Sequence, residues 1–304
     1  MGECLYLRIA IQNNTMFKKV IYPKLPSKFH FIIRFMGSGL ANCLFVYARA
    51  IILSEKYNLK VINPSWIQFN IGPYLRNEKD KRHYNGLFKS FGIQTISKNW
   101  LLLTKKYFPE NTNPSEFKNG IIVVEGLKNY FADLQGYSEL VRTHLLEIVN
   151  SEAKQSYNKM NGDFIGIHIR LGDYSADSRV SLDWYIEKMK AIREKKGNKV
   201  KFLVFSDGNV EELKEILDFP NTEMAFFGSA IADILILSKA NLIIASDSTF
   251  SAWGAYLGQV PILFNKRHFG PVLDDQKFEY VECNGSLAGV NRFIESWISN
   301  YGIS

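Results

Sequence analysis

Between residues 164 and 264 the chain alternates short runs of β-branched and aromatic residues with stretches whose apolar residues fall three or four apart. No other feature limits its fold as tightly, because that alternation is the pattern of a parallel sheet covered by helices. The spacing predicts strands over 164–169, 201–205, 224–226, 242–245 and 261–264, with helices over 182–195, 210–217, 230–239 and 250–257. Open parallel sheets bind ligands beyond the carboxyl ends of their strands. The segments 168–174, 206–208 and 246–251 are therefore the places to look for chemistry.

The first half shows one clear unit: a strand over 29–35, a turn at 37–39, a helix over 40–57 and a strand over 60–62. From 66 to 120 the pattern loosens, and it resumes with a strand over 121–124 and a helix over 138–150. A polar interval, 151–163, separates the halves. With 304 residues, the expectation is an α/β protein of two Rossmann-type domains, 1–155 and 156–304, with the last helix packing back on the first.

Composition narrows the setting. Apolar runs such as 231–237 and 243–245 stop well short of the roughly 20 residues that span a bilayer. Residues 1–15 lack the basic start and continuous apolar stretch of a secretory signal, so a cytoplasmic protein is expected. Three cysteines, Cys4, Cys43 and Cys283, are too scattered for a disulfide framework or a zinc site. The sequons at Asn13 and Asn284 then read as accidental. A net charge of +7 favours an anionic partner without saying which. The basic residues around 76–82 and 193–199 are interspersed with acidic ones, as on a solvated face, and no nucleic-acid motif accompanies them.

Of the candidate segments, 168–174 is the richest. Arg170 ends a strand beside Gly172, where backbone and ligand can approach closely and a guanidinium can grip phosphate oxygens in a bidentate fashion. The same residues also fit a surface ion pair between Arg170 and Asp173 that closes a turn. His168, in an apolar strand, fits a core histidine. Ser248, Thr249 and Phe250 open a helix, as an N-cap or as an anion site would.

His168-Ile-Arg-Leu-Gly-Asp-Tyr174 resembles the H-x-R-R-G-D-Y signature of the α-1,2-fucosyltransferase family, glycosyltransferase family 11. Three collinear segments resemble further family motifs: Gly39-Leu-Ala-Asn42, Phe205-Ser-Asp207 and Asp247-Ser-Thr-Phe-Ser-Ala-Trp253. The resemblance implies a GT-B-like pair of domains with a donor and acceptor cleft between them, and inverting transfer of L-fucose from GDP-fucose. Transfer builds charge on the leaving pyrophosphate, and the chain has no D-x-D motif to hold a metal there. Neither a metal nor a cofactor is expected; the GDP-sugar is a co-substrate. Arg170 is implied as the β-phosphate ligand. Asn42, Ser206, Asp207, Asp233, Asp247, Ser248, Thr249 and Phe250 are implied on the donor side. Asp173, His168 and Glu125 are chemically able to act as general base, Asp173 being preferred. A loose match over 125–131 places Glu125 and Tyr130 on the acceptor side.

The departures count as well. Leu171 replaces the second arginine, Ala41 and Cys43 replace a glycine and a glutamine, Asp247 replaces an asparagine, and residues 1–28 have no counterpart. A related donor such as GDP-colitose is then conceivable. The expected acceptor is a galactose-containing glycan, lipid-linked acceptors included, with peripheral contact at the inner face of a membrane and no nucleic acid. Two other readings stand beside this one. The turn at 37–42 resembles a dinucleotide fingerprint, but its third glycine is Asn42 and the following strand ends at Asn63 rather than at an acidic residue. A noncatalytic carbohydrate-binding protein of the same fold would differ only in lacking turnover.

Overall fold

The computed structural model describes residues 17–27, 29–30, 34–35, 37–75, 81–172, 179–282 and 287–301. Two compact units emerge, one formed by Met1–Arg76, Asp80–Lys128 and Thr143–Asn150, the other by Asn77–Lys79, Asn129–Arg142 and Ser151–Ser304.

In the first unit, β1 (Lys19–Pro23), β4 (Lys60–Val61), β6 (Tyr107–Pro109) and β7 (Gly120–Val124) form a parallel sheet in the order β4-β1-β7-β6. Val20, Tyr22, Ile62, Ile93, Leu101 and Ile121 make its core. Helix α1 (Leu40–Tyr57) is buried without interruption from Cys43 to Ile52. It ends at Asn58, which adopts a left-handed conformation with φ of 50°. Leu59 N–H then reaches back to the Ser54 carbonyl at 3.2 Å, closing the last turn.

The strand expected over 29–35 is not the sheet strand that feeds this helix. Instead β2 (Phe29–His30) and β3 (Arg34–Phe35) join β5 (Gln68–Phe69) in a small separate sheet. The role belongs to Lys19–Pro23, which pairs in register with β7 from Lys19↔Gly120 to Pro23↔Val124. Arg34 explains the detour: fully buried, it donates to the carbonyls of Ser65, Pro26 and Trp66 and to Cys43 Sγ. Those bonds tie the small sheet to the start of α1. Two short helices, α2 (Gly72–Leu75) and α3 (Thr95–Thr104), complete the unit with the end of α4 (Ser138–Ile148).

The second unit follows the sequence pattern closely. After α5 (Ser151–Lys159) come β8 (Ile165–Ile169), α6 (Leu182–Lys196), β9 (Phe202–Ser206), α7 (Lys214–Leu217) and β10 (Thr222–Met224). Next are α8 (Ala230–Leu237), β11 (Leu242–Ala245), α9 (Thr249–Gly258), β12 (Ile262–Phe264), β13 (Glu279–Val281) and α10 (Leu287–Tyr301). All six strands are parallel, in the order β10-β9-β8-β11-β12-β13. Every residue of β8 is buried, as expected of a central strand covered on both faces. A Cβ on Gly166 would stand 2.6 Å from Leu237 Cδ2, so a glycine is what lets α8 lie this close to the strand.

Three expectations are corrected here. The polar interval 151–163 contains α5, a helix with Ala153 as its buried residue, whose composition hides it. The helix expected over 210–217 is confined to Lys214–Leu217. The strand expected over 224–226 sits earlier, leaving Phe226 71% exposed. The last helix sends Val290, Phe293, Ile294 and Trp297 into the core of the second unit. Trp297 Nε1 donates to the Asn241 carbonyl at 2.9 Å. Each unit is thus a parallel α/β sheet with helices, the Rossmann-type class anticipated from sequence. No helix among the described residues is long and apolar enough to cross a membrane.

Candidate functional site

Three neighbouring strands bring the candidate segments of the second unit to one sheet edge. His168 on β8 is registered between Phe205 on β9 and Ala245 on β11, so the loops that follow these strands leave the sheet side by side. Ser246 N–H donates to the His168 carbonyl at 3.2 Å, which holds the start of one loop against the end of another strand.

Asp207 organises the first loop. Its Oδ1 accepts the backbone N–H of Leu171 at 2.8 Å and of Gly172 at 3.0 Å, and Oδ2 lies 3.3 Å from Arg170 Nε. A Cβ on Gly172 would approach Asp207 Oδ2 to 2.8 Å, so residue 172 has to be small for the bracket to close. Arg170 is about a quarter exposed at the mouth of this turn. The expected partner, Asp173, lies outside the described residues, as does Tyr174. Leu171 points the other way: it is 7% exposed and belongs to the unit's hydrophobic core. Ser206 Oγ accepts Gly208 N–H at 3.0 Å, shaping the return of the neighbouring loop.

His168 forms a wall of this site. Its ring is buried and stacks on Phe250 with centroids 5.1 Å apart and planes inclined by 19°. Burial first, and then the Arg170 charge, push its pKa down to about 3, so the ring is neutral at physiological pH. Nδ1 is buried without a hydrogen-bond partner. A ring this hard to protonate is a poor proton acceptor, and its geometry suits shape and stacking better than base catalysis.

The third loop leads into α9. Ser248 is the N-cap, its Oγ accepting Phe250 N–H at 3.2 Å, and Ser251 Oγ donates to the Ser248 carbonyl. Thr249 and Phe250, both half-buried, form the first turn, where backbone N–H groups favour negative charge. Asp247 Oδ1 accepts His268 N–H at 3.1 Å and lies 2.6 Å from His268 Nδ1. Tyr130 stands edge-on to His268 at 5.9 Å. Asp233 is buried and accepts Phe227 N–H at 2.8 Å, bracing the loop before α8.

Two candidates belong to the first unit. Asn42 sits in the first turn of α1, whose N-cap Gly39 provides no side-chain cap. Glu125 follows β7, exposed and paired with Lys24 at 2.7 Å. Sequence reasoning missed His268, which carries no local motif, and the bracing action of Asp207, which depends on a pairing 36 residues apart in the chain.

Residues 126–262 match the model of glycosyl transferase family 11. The O-antigen biosynthesis glycosyltransferase WbnK of Escherichia coli is 28% identical, over 73% of this chain and 88% of that protein. Galactoside alpha-(1,2)-fucosyltransferase 1 of Lagothrix lagotricha is also 28% identical, over 38% of this chain and 35% of its own. Among solved structures, fucosyltransferase NodZ from Bradyrhizobium, in crystals soaked with GDP-fucose, aligns over 81% of this chain and 94% of its own at 17% identity and a TM-score of 0.49.

Proposed function

Related to glycosyl transferase family 11 over residues 126–262, this chain is, we propose, an inverting glycosyltransferase. It takes L-fucose, or a related 6-deoxy sugar such as colitose, from a GDP-linked donor to a galactose-type hydroxyl, in α-1,2 linkage, during surface polysaccharide or oligosaccharide synthesis. The printed names of the two relatives support the sugar-transfer class, and that of the Lagothrix lagotricha relative supports the linkage. The observation that carries the reading is the Arg170 turn, bracketed by Asp207 and set beside the N-terminus of α9.

In such a transfer the acceptor oxygen bonds to the anomeric carbon as the bond from that carbon to the β-phosphate oxygen breaks. The electron pair leaves on GDP, and the hydroxyl proton passes to a base, for which Asp173 is the proposed group. Arg170 and the first-turn N–H groups of α9 meet the charge that grows on the pyrophosphate. Asp207 holds the arginine in place rather than consuming it, since its two N–H bonds fix the backbone on either side of Leu171. Asn42, Asp233 and Ser206 complete the proposed donor contacts, and Glu125 and Tyr130 the acceptor contacts. The reaction needs no metal in this reading, because the sequence has no D-x-D motif.

Incubation with a panel of nucleotide sugars and a galactoside tests this. GDP-fucose or GDP-colitose should be turned over, with EDTA having no effect. Arg170→Ala should lower turnover on the order of 100-fold or more while the protein stays folded, the scale of losing a donor aimed at developing charge. Turnover near wild type in that variant would overturn the assignment.

A further inference from the structure

The charge of this protein is concentrated. Residues 56–109 contain ten Lys and Arg against two acidic residues, Glu78 and Asp80, a net of +8 where the whole chain carries +7. The other 250 residues together are therefore close to neutral. Exposed apolar surface collects in the same stretch. Of thirteen large hydrophobic side chains exposed among the described residues, nine fall between 56 and 109.

Two surfaces of the first unit account for most of them. On α3, Ile96, Trp100 and Leu103 recur at intervals of four and three, which places them on one helix face, and they are 50%, 37% and 74% exposed. The opposite face of the helix buries Lys98, Leu101 and Leu102. Near α2, Ile71 and Leu75 lie one turn apart, 52% and 82% exposed, beside the linked rings of Phe69 and Tyr74. Lys81 Nζ stands 5.3 Å over the Tyr74 ring.

We infer that this part of the first unit docks on an anionic lipid bilayer. The inference is independent of the transferase reading. Aliphatic side chains as exposed as Leu75 and Leu103 offer nothing to a sugar or a nucleic-acid base, which are gripped by aromatic faces and polar groups. Inserted among acyl chains they leave water, while Trp and Tyr suit the interfacial layer. Lys98 and Lys105 are buried and take no part, but the other eight Lys and Arg of the stretch still outnumber its two acidic residues and supply attraction to acidic headgroups.

The chain itself provides the probe. Of its five tryptophans, Trp100 alone is more than a tenth exposed; Trp66, Trp184, Trp253 and Trp297 are all buried. Full-length protein should float with vesicles containing phosphatidylglycerol and not with pure phosphatidylcholine, and 0.5 M NaCl should weaken binding several-fold. Brominated acyl chains should quench its fluorescence, and Trp100→Phe should remove most of that quenching. The double variant Leu75→Glu/Leu103→Glu should bind at least tenfold less, whereas Val210→Glu, at an exposed apolar position of the second unit, should bind as wild type. Circular dichroism verifies that the variants are folded. Failure to bind acidic vesicles, quenching that persists in Trp100→Phe, or equal loss in Val210→Glu would overturn the inference. So would a dimer that the double variant dissociates without any vesicle binding, or binding to homopolymer RNA in place of vesicles.

Discussion

Asp207 serves three donors with two oxygens: two backbone N–H groups and the Nε of Arg170. Asp207→Asn keeps an oxygen for the N–H groups but removes the charge that faces the guanidinium. Steady-state kinetics of that variant should show kcat lowered about tenfold, about 1.4 kcal/mol of transition-state stabilisation, with donor KM little changed. A rise in KM with kcat intact would instead assign Asp207 to ground-state contact with the nucleotide. Arg170 was legible in the sequence as a charged residue at a strand end beside glycine. The inward turn of Leu171 was not, because alternation along one strand cannot say which way a loop residue faces once an aspartate elsewhere has captured its N–H.

At the scale of elements, the second unit was readable because its central strands are covered on both faces and so form unbroken apolar runs, as Leu242–Ala245 does. In the first unit β4 and β7 fall where strands over 60–62 and 121–124 were expected, but others were hidden. Lys19–Pro23 is short and preceded by Lys18, so it resembles an extension rather than a core strand, and β5 has two residues, too few to show a period. Tertiary contacts also dictate residues that no propensity scale would choose. Glycine in the middle of β8 is a poor strand former, yet Leu237 occupies the space a side chain would need. Gly166→Val, which improves strand propensity, should therefore destabilise the protein by about 1–3 kcal/mol, the usual cost of overpacking. A urea midpoint equal to or above wild type would contradict the close approach of α8 to the strand.

For the whole molecule, the two units are interleaved along the chain: residues 129–142 belong with the second unit although 143–150 belong with the first. The borrowed segment is well anchored in its unit. Phe131 and Leu134 are fully buried, Phe131 packs 5.2 Å from Trp253, and Tyr256 Oη donates to the Leu134 carbonyl at 2.8 Å. A fragment beginning at 151 would lack this cover and leave the rings of α9 open, whereas one beginning at 129 would keep it. The shorter fragment should unfold without a cooperative transition and the longer with one; equal cooperativity in a thermal melt would show that the segment is dispensable. Interleaving also sets a timetable for synthesis. Phe131 leaves the ribosome roughly 120 residues ahead of Trp253, so at about 5–20 residues per second its ring waits some 6–24 s for the helix that will cover it. During each round of translation the nascent chain thus holds an uncovered apolar segment between a first unit whose residues are complete and a second still being made.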